Sequence, residues 1–174
     1  MELMVYARPG EATATATWRL RRFDCLIGEA GAIQTAKKTE GDGATPIGTW
    51  PMLLGFYRSD RIERPRGDFP WRAIQPGDAF CDDSSDPLYN NFVWAPHPAV
   101  KTGTLWKEGD EYDVAIWLGY NVAPVVPNKG SAILIHGWKP DVRHTRGCIA
   151  LPRDQLIAIA DDVTFNAKVR IICY

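Results

Sequence analysis

The chain has 174 residues, 45% hydrophobic and 24% charged, with 20 Lys+Arg balancing 21 Asp+Glu. That length suits one domain, residues 1–174, able to bury roughly 70% of its unfolded surface. A net charge of −1 excludes the broad basic face that nucleic acid or an anionic membrane would need, and no apolar run of about 18 residues is present to span a bilayer.

In chain order, the opening MELMVYARPGEATATATWRLRRF contains no apolar h-region of about 7–15 residues, so a signal peptide is either not used or lies outside this numbering. ATATATWRLRRF alternates at period 2 and FDCLIGEAGAI continues in apolar clusters broken by Gly28 and Gly31, which predicts a β-hairpin or meander. KKTEGDGATPIGTWPMLL places Gly41, Gly43, Pro46 and Gly48 close together, a shaped turn before a strand expected from Trp50. From Arg58 to Pro98 the chain is rich in Pro, Gly, Asp, Arg and Trp without helical period, and reads as a long structured excursion of short strands and turns, the kind of segment that carries recognition. EYDVAIWLGYN and GSAILIHGW read as central strands joined by the turn-rich VAPVVPNKG. PRDQLIAIADDV is the one good helix, with Pro152 in its first position, Asp154 in its first turn, and Leu156, Ile157, Ala160 and Val163 on one face. KVRIICY closes the chain as a strand.

The chemistry concentrates in ILIHGWKPDVRHTRGCIALPRDQL, residues 133–156. A cysteine is a nucleophile as its thiolate, and a histidine that takes its proton holds it in that form. His136 ends an apolar strand and Cys148 follows across a loop able to double back; Gly147, lacking Cβ, lets a carbonyl approach backbone N–H groups. On residues alone, a small buried thiol and a hydrogen-bonded core histidine explain the pair about as well as nucleophile and base. His144 is a rival base, but four residues from Cys148 it has less freedom of approach and reads better as a loop or substrate contact. Arg143, Arg146 and Arg153 flank the nucleophile and would meet carboxylates, Arg146 foremost. Trp138, Tyr120 and Asn121 either wall a cleft or cap the sheet. Tyr89-Asn90-Asn91 reads as turn chemistry, His97 as structural, Cys25 and Cys173 as core, and Cys81, beside Asp82 and Asp83, as a poor thiolate. His136, His144 and Asp141 lack metalloprotease spacing, and no cofactor or metal is expected.

His136-Gly137, then Thr145-Arg146-Gly147-Cys148-Ile149, resembles the signature of L,D-transpeptidases of the ErfK/YkuD type; GDGATPIGTWP and LGYN match two further elements of that family in the same order. The resemblance covers roughly residues 15–174. It implies a mainly β fold, a curved β-sandwich with one or two short helices, and cysteine acyl transfer between donor and acceptor stem peptides of peptidoglycan, by a monomer in the periplasm. It further implies Cys148 as nucleophile, His136 as base, the Gly137 main chain orienting the imidazole, Gly147 and Cys148 N–H groups receiving the oxyanion, and Arg146, Trp138, Arg143, Tyr120 and His144 toward substrate. Arg146 and Ala150 depart from the family's usual His and Arg at those places, and the pattern is similar to a small proteobacterial subgroup that links through the first stem residue. Two alternatives remain: hydrolysis of the same stem peptides, and a non-catalytic wall-binding module. A papain-type hydrolase places Cys before His, and a sortase needs a larger separation, so both fit less well.

Overall fold

The computed structural model describes residues 1–174. Thirteen strands and one helix follow in order: β1 (Glu2–Ala7), β2 (Thr13–Trp18), β3 (Arg21–Leu26), β4 (Ala32–Ile33), β5 (Thr45–Pro46), β6 (Gly48–Tyr57), β7 (Trp71–Ala73), β8 (Asp78–Phe80), β9 (Phe92–Trp94), β10 (Val114–Leu118), β11 (Leu134–Gly137), β12 (Ile149–Leu151), α1 (Arg153–Ala160) and β13 (Lys168–Cys173). The alternating Thr-Ala run does form a hairpin, Thr13↔Leu26 through Trp18↔Arg21, turned at Arg19 with φ of 53°. The strand expected from Trp50 begins at Gly48, whose φ of 146° suits glycine.

Nine strands form one sheet in the order β10-β11-β12-β3-β2-β1-β13-β6-β7. The mainly β fold is therefore the one adopted, and its curvature carries it to closure: β10 also pairs with β6, Val114↔Tyr57 through Leu118↔Met52, so eight strands ring a common interior with β7 outside. Closure removes the edges an open sheet exposes. The ring is thinnest where β12 meets β3, through Ala150↔Leu26 alone.

Period-2 alternation assigns each residue a face. Val114, Ile116 and Leu118 of β10, Ile135 of β11 and Ile149 and Leu151 of β12 point inward, joining a 25-residue core with Leu3, Val5, Trp18, Val169 and Ile171. Ala115 and Leu134 point outward, against a second cluster with Phe56, Ile74, Phe80 and Leu105. The Pro-rich excursion supplies Ile74 and Phe80 to this cluster and so covers the outside of the barrel at β6, β10 and β11; its short strands are β7, β8 and β9.

The helix spans Arg153–Ala160, with Pro152 one place earlier than the first helical residue, in the N-cap position. Its buried residues are Leu156, Ile159 and Ala160, with Val163 just beyond, so the inward stripe runs through Ile159 where Ile157 was expected. Those positions follow the i, i+3, i+4, i+7 spacing of one helical face. All four cysteines are free thiols; Cys25 and Cys81 are buried and Cys173 is partly so.

Candidate active site

β11 and β12 lie side by side and parallel, in the register Ile135↔Ile149 and His136↔Ala150. Because Ile135 and Ile149 face the core, His136 and Ala150 face outward, and so does Cys148, two residues before Ala150. The period-2 pattern thus brings His136 and Cys148 to the same outer face, one residue pair apart on neighbouring strands. Both line a cleft of about 730 Å³ between this face, the Gly41–Gly43 turn and the segment from Thr102 to Tyr112, a size suited to a short peptide.

The Cys148 thiol is held by backbone. Leu134 N–H donates to Sγ at 3.4 Å, and Sγ donates to the Ala132 carbonyl at 3.4 Å. Burial pushes the thiol up to about 11, against smaller lowering by the Leu134 N–H and the Lys38 charge. His136 Nδ1 lies 2.9 Å from the Gly137 carbonyl. A carbonyl only accepts, so Nδ1 carries the proton and Nε2 keeps its lone pair. Burial lowers the basicity of His136, opposed by the Gly137 carbonyl and Glu111. At rest the pair is a neutral thiol beside a neutral imidazole.

Two threonines fix the turn before Cys148. Thr145 Oγ1 accepts from Gly147 N–H at 3.1 Å and donates to the Cys148 carbonyl at 2.6 Å. Thr45, fully buried, donates from Oγ1 to the Gly147 carbonyl and accepts from Gly28 N–H, both at 2.9 Å. The GDGATPIGTWP and TRGC segments, far apart in sequence, meet here. Gly147 has φ of 126°, and a Cβ there would stand 2.9 Å from the Ala44 carbonyl oxygen. Glycine is therefore required by the backbone and by Ala44, a reason distinct from substrate approach. Its N–H is committed to Thr145, whereas Cys148 N–H donates to no carbonyl in the chain.

The other expected site residues divide. Arg146 and His144 line the cleft; His144 is exposed, with Nδ1 3.3 Å from the Thr145 carbonyl and 3.8 Å from Glu29. Gly137 is buried behind His136, its N–H donating to the Glu111 carbonyl at 2.7 Å. Arg143 is exposed and does not line the cleft, and Trp138 turns its indole N–H to Val142. Tyr120 is in the core, its hydroxyl donating to the Lys129 carbonyl and its ring edge-on to Trp50. Arg153 binds the buried Asp113 carboxylate at 2.8 Å, so the cationic lining comes from Arg146, Lys107 and Lys139 instead of three arginines around the nucleophile. Tyr112, stacked on His136 with centroids 5.1 Å apart and planes at 19°, went unremarked in the sequence because its ring reads as ordinary strand-edge aromatic. Asn90, taken as turn chemistry, has φ of 58° and also accepts from Ala132 N–H at 2.8 Å, fixing the residue whose carbonyl receives the Cys148 thiol.

Among solved structures, Bd1075 of Bdellovibrio bacteriovorus is 12% identical, with a TM-score of 0.46 over 98% of this chain and 47% of its own. The Campylobacter jejuni helical cell shape determining protein Pgp2, as its K307A mutant, is 19% identical, with a TM-score of 0.43 over 97% of this chain and 46% of its own. The chain thus spans about half the length of each. No curated protein matches. The family model for YkuD, the L,D-transpeptidase catalytic domain, matches residues 2–171, and the chain belongs to that family.

Proposed function

We propose that residues 1–174 act as one cysteine L,D-transpeptidase domain on peptidoglycan stem peptides in the periplasm. The observation that carries this reading is the placement of Cys148 and His136 on one outward face of adjacent parallel strands, inside a cleft, with His136 Nε2 unprotonated. Sγ attacks the carbonyl carbon of the donor peptide bond as its proton passes to Nε2. The tetrahedral oxyanion takes a hydrogen bond from Cys148 N–H, one such donor being worth about 3–4 kcal/mol of transition-state stabilisation. The C–N bond then breaks, the imidazolium protonates the leaving amine, and a Cys148 thioester remains. The meso-diaminopimelate amine of an acceptor stem attacks it, giving a 3-3 crosslink or one through L-Ala, and the thiol is regenerated. No metal or organic cofactor enters these steps. A stem peptide carries both carboxylates and amines, and the cleft offers Arg146, Lys107 and Lys139 alongside Glu29, Glu40 and Glu111.

Incubation with disaccharide-tetrapeptide and disaccharide-tripeptide, followed by mass spectrometry, tests this. Crosslinked dimers that have lost the donor fragment beyond the linked residue are expected, the terminal residue for a 3-3 link and the rest of the stem for a link through L-Ala, together with a carbapenem adduct on Cys148. Shortened monomers without dimers would mean hydrolysis, and turnover retained by Cys148→Ala would sink the mechanism.

A further inference from the structure

The segment just before β10 packs against His136 and its neighbour Gly137. The Glu111 carbonyl accepts from Gly137 N–H at 2.7 Å, and the Gly137 carbonyl in turn lies 2.9 Å from His136 Nδ1. Tyr112 lays its ring parallel to the imidazole, 5.1 Å away. The Glu111 side chain lines the same cleft and has one carboxylate oxygen buried with no hydrogen-bond partner. Such an oxygen is costly to bury. The segment is held firmly from behind: Asp113 is buried and binds both Arg61 at 3.1 Å and Arg153 at 2.8 Å, while Arg58 N–H donates to its carbonyl.

We infer that Glu111 and Tyr112 are positioning residues for the general base: the Tyr112 ring fixes the plane of His136, and the Glu111 carboxylate stabilises the imidazolium that forms when His136 takes the Cys148 proton. This rests on His136 and Cys148 being the base and nucleophile of the proposed transpeptidase. The physical need is clear from the resting state, in which burial disfavours a charged imidazole and a charged thiolate alike. Proton transfer creates both charges at once, and the new cation needs a nearby anion. The charged groups around His136 are Glu111 from the segment before β10, Cys148 from the turn before β12, and Lys139 from the loop after β11. Across the cleft stand Lys107, His144 and Arg146 together with the carboxylates of Glu29, Glu40 and Asp82. Glu111 is thus the carboxylate on the segment packed against the base, and its charge, after the Gly137 carbonyl, opposes the effect of burial on His136. Gly109 permits the arrangement, because a Cβ there would stand 2.0 Å from a Glu111 carboxylate oxygen.

Alkylation of Cys148 by iodoacetamide, followed as a function of pH by mass spectrometry of the intact protein, tests this without substrate. Wild type has a neutral-pH limb carried by the thiolate–imidazolium pair and an alkaline limb from direct loss of the thiol proton. Glu111→Gln, which keeps size and backbone, is expected to lower the neutral limb about tenfold and to leave the alkaline limb in place. Tyr112→Leu is expected to lower the neutral limb as well, with Tyr112→Phe restoring most of it, since stacking uses the ring. A Glu111→Gln profile that superimposes on wild type, or one in which both limbs move together, overturns the assignment. His136→Ala separates the two levels. If it abolishes the neutral limb while Glu111→Gln does not touch it, the positioning role fails and the base survives; if it leaves the neutral limb intact, the reading of His136 as base fails.

Discussion

Thr45→Val isolates the joint between the two glycine-rich motifs. Valine matches threonine in shape, so no cavity forms, but the hydroxyl that donates to the Gly147 carbonyl and accepts from Gly28 N–H is gone. Both backbone groups then stay buried without a partner, each costing about 1–3 kcal/mol. The sum is about 2–6 kcal/mol. For a chain of this size 1 kcal/mol moves Tm by roughly 2–4 °C, so a central loss of about 4 kcal/mol lowers Tm by roughly 8–16 °C. Urea titration followed by tryptophan fluorescence reads the loss as a lower midpoint at unchanged slope. Thr45→Ser is the control, because it keeps both bonds and gives up one methyl group, worth about 1 kcal/mol. If Thr45→Val is no less stable than Thr45→Ser, the two bonds are not holding the Cys148 turn, and the account of how GDGATPIGTWP supports the nucleophile is wrong.

Gly28→Ala places a Cβ 2.1 Å from the Gly43 carbonyl oxygen and 2.9 Å from the Ala44 Cα, with backbone on all sides; we expect destabilisation by at least about 3 kcal/mol, and a midpoint within error of wild type would show that the 28–44 contact can yield. Cys148→Ala is expected to end thioester formation while changing stability by no more than about 1–2 kcal/mol, measured by intact mass after carbapenem treatment and by thermal unfolding. Stability also has a predictable acid limb. His136 is less basic folded than unfolded because of burial, so the unfolded chain binds the extra proton first; its contribution is fully present above the ordinary histidine value of 6.5 and is lost as pH falls through 6.5 toward the lower folded value. The stability gap between wild type and His136→Gln should narrow between pH 7.5 and pH 5.5, and a constant gap would refute a buried neutral imidazole. The alkaline side follows from Cys148: with its thiol pushed up to about 11, the alkaline limb of alkylation should keep rising well past pH 9, and an alkaline limb already complete below pH 9 would mean a thiol that burial does not raise.

The residues that carry chemistry were legible in the chain because they are local. Cys148 and its Gly147 neighbour, His136-Gly137 and the alternating β runs are each readable within a dozen residues, since alternation and glycine placement express backbone physics directly. The helix was readable for the same reason, and three of its four inward positions are those expected, with Ile159 in place of Ile157 because several apolar side chains compete for one short face. Tyr120 illustrates the opposite case. At the end of an apolar strand it could wall a cleft or cap the sheet, and nothing in its neighbours chose; the tertiary structure buries it against Trp50 and gives its hydroxyl to Lys129.

What the sequence by itself determined was a mainly β chain with His136 and Cys148 as the candidate pair on a strand–turn–strand unit, because period 2 and motif spacing are properties of short segments. What only the tertiary structure decided was everything set by strand register and closure. The pairing His136↔Ala150 puts His136 and Cys148 on the outside of the barrel, and the return of β10 to β6 closes the ring beneath them. Long-range folding brings Thr45 to Gly147 and takes Arg153 away to Asp113. It also sets Glu111 and Tyr112 behind the imidazole. Those partners lie tens of residues away along the chain, where no local pattern marks them, and a one-residue slip in the register of β11 would have turned His136 itself to the other face.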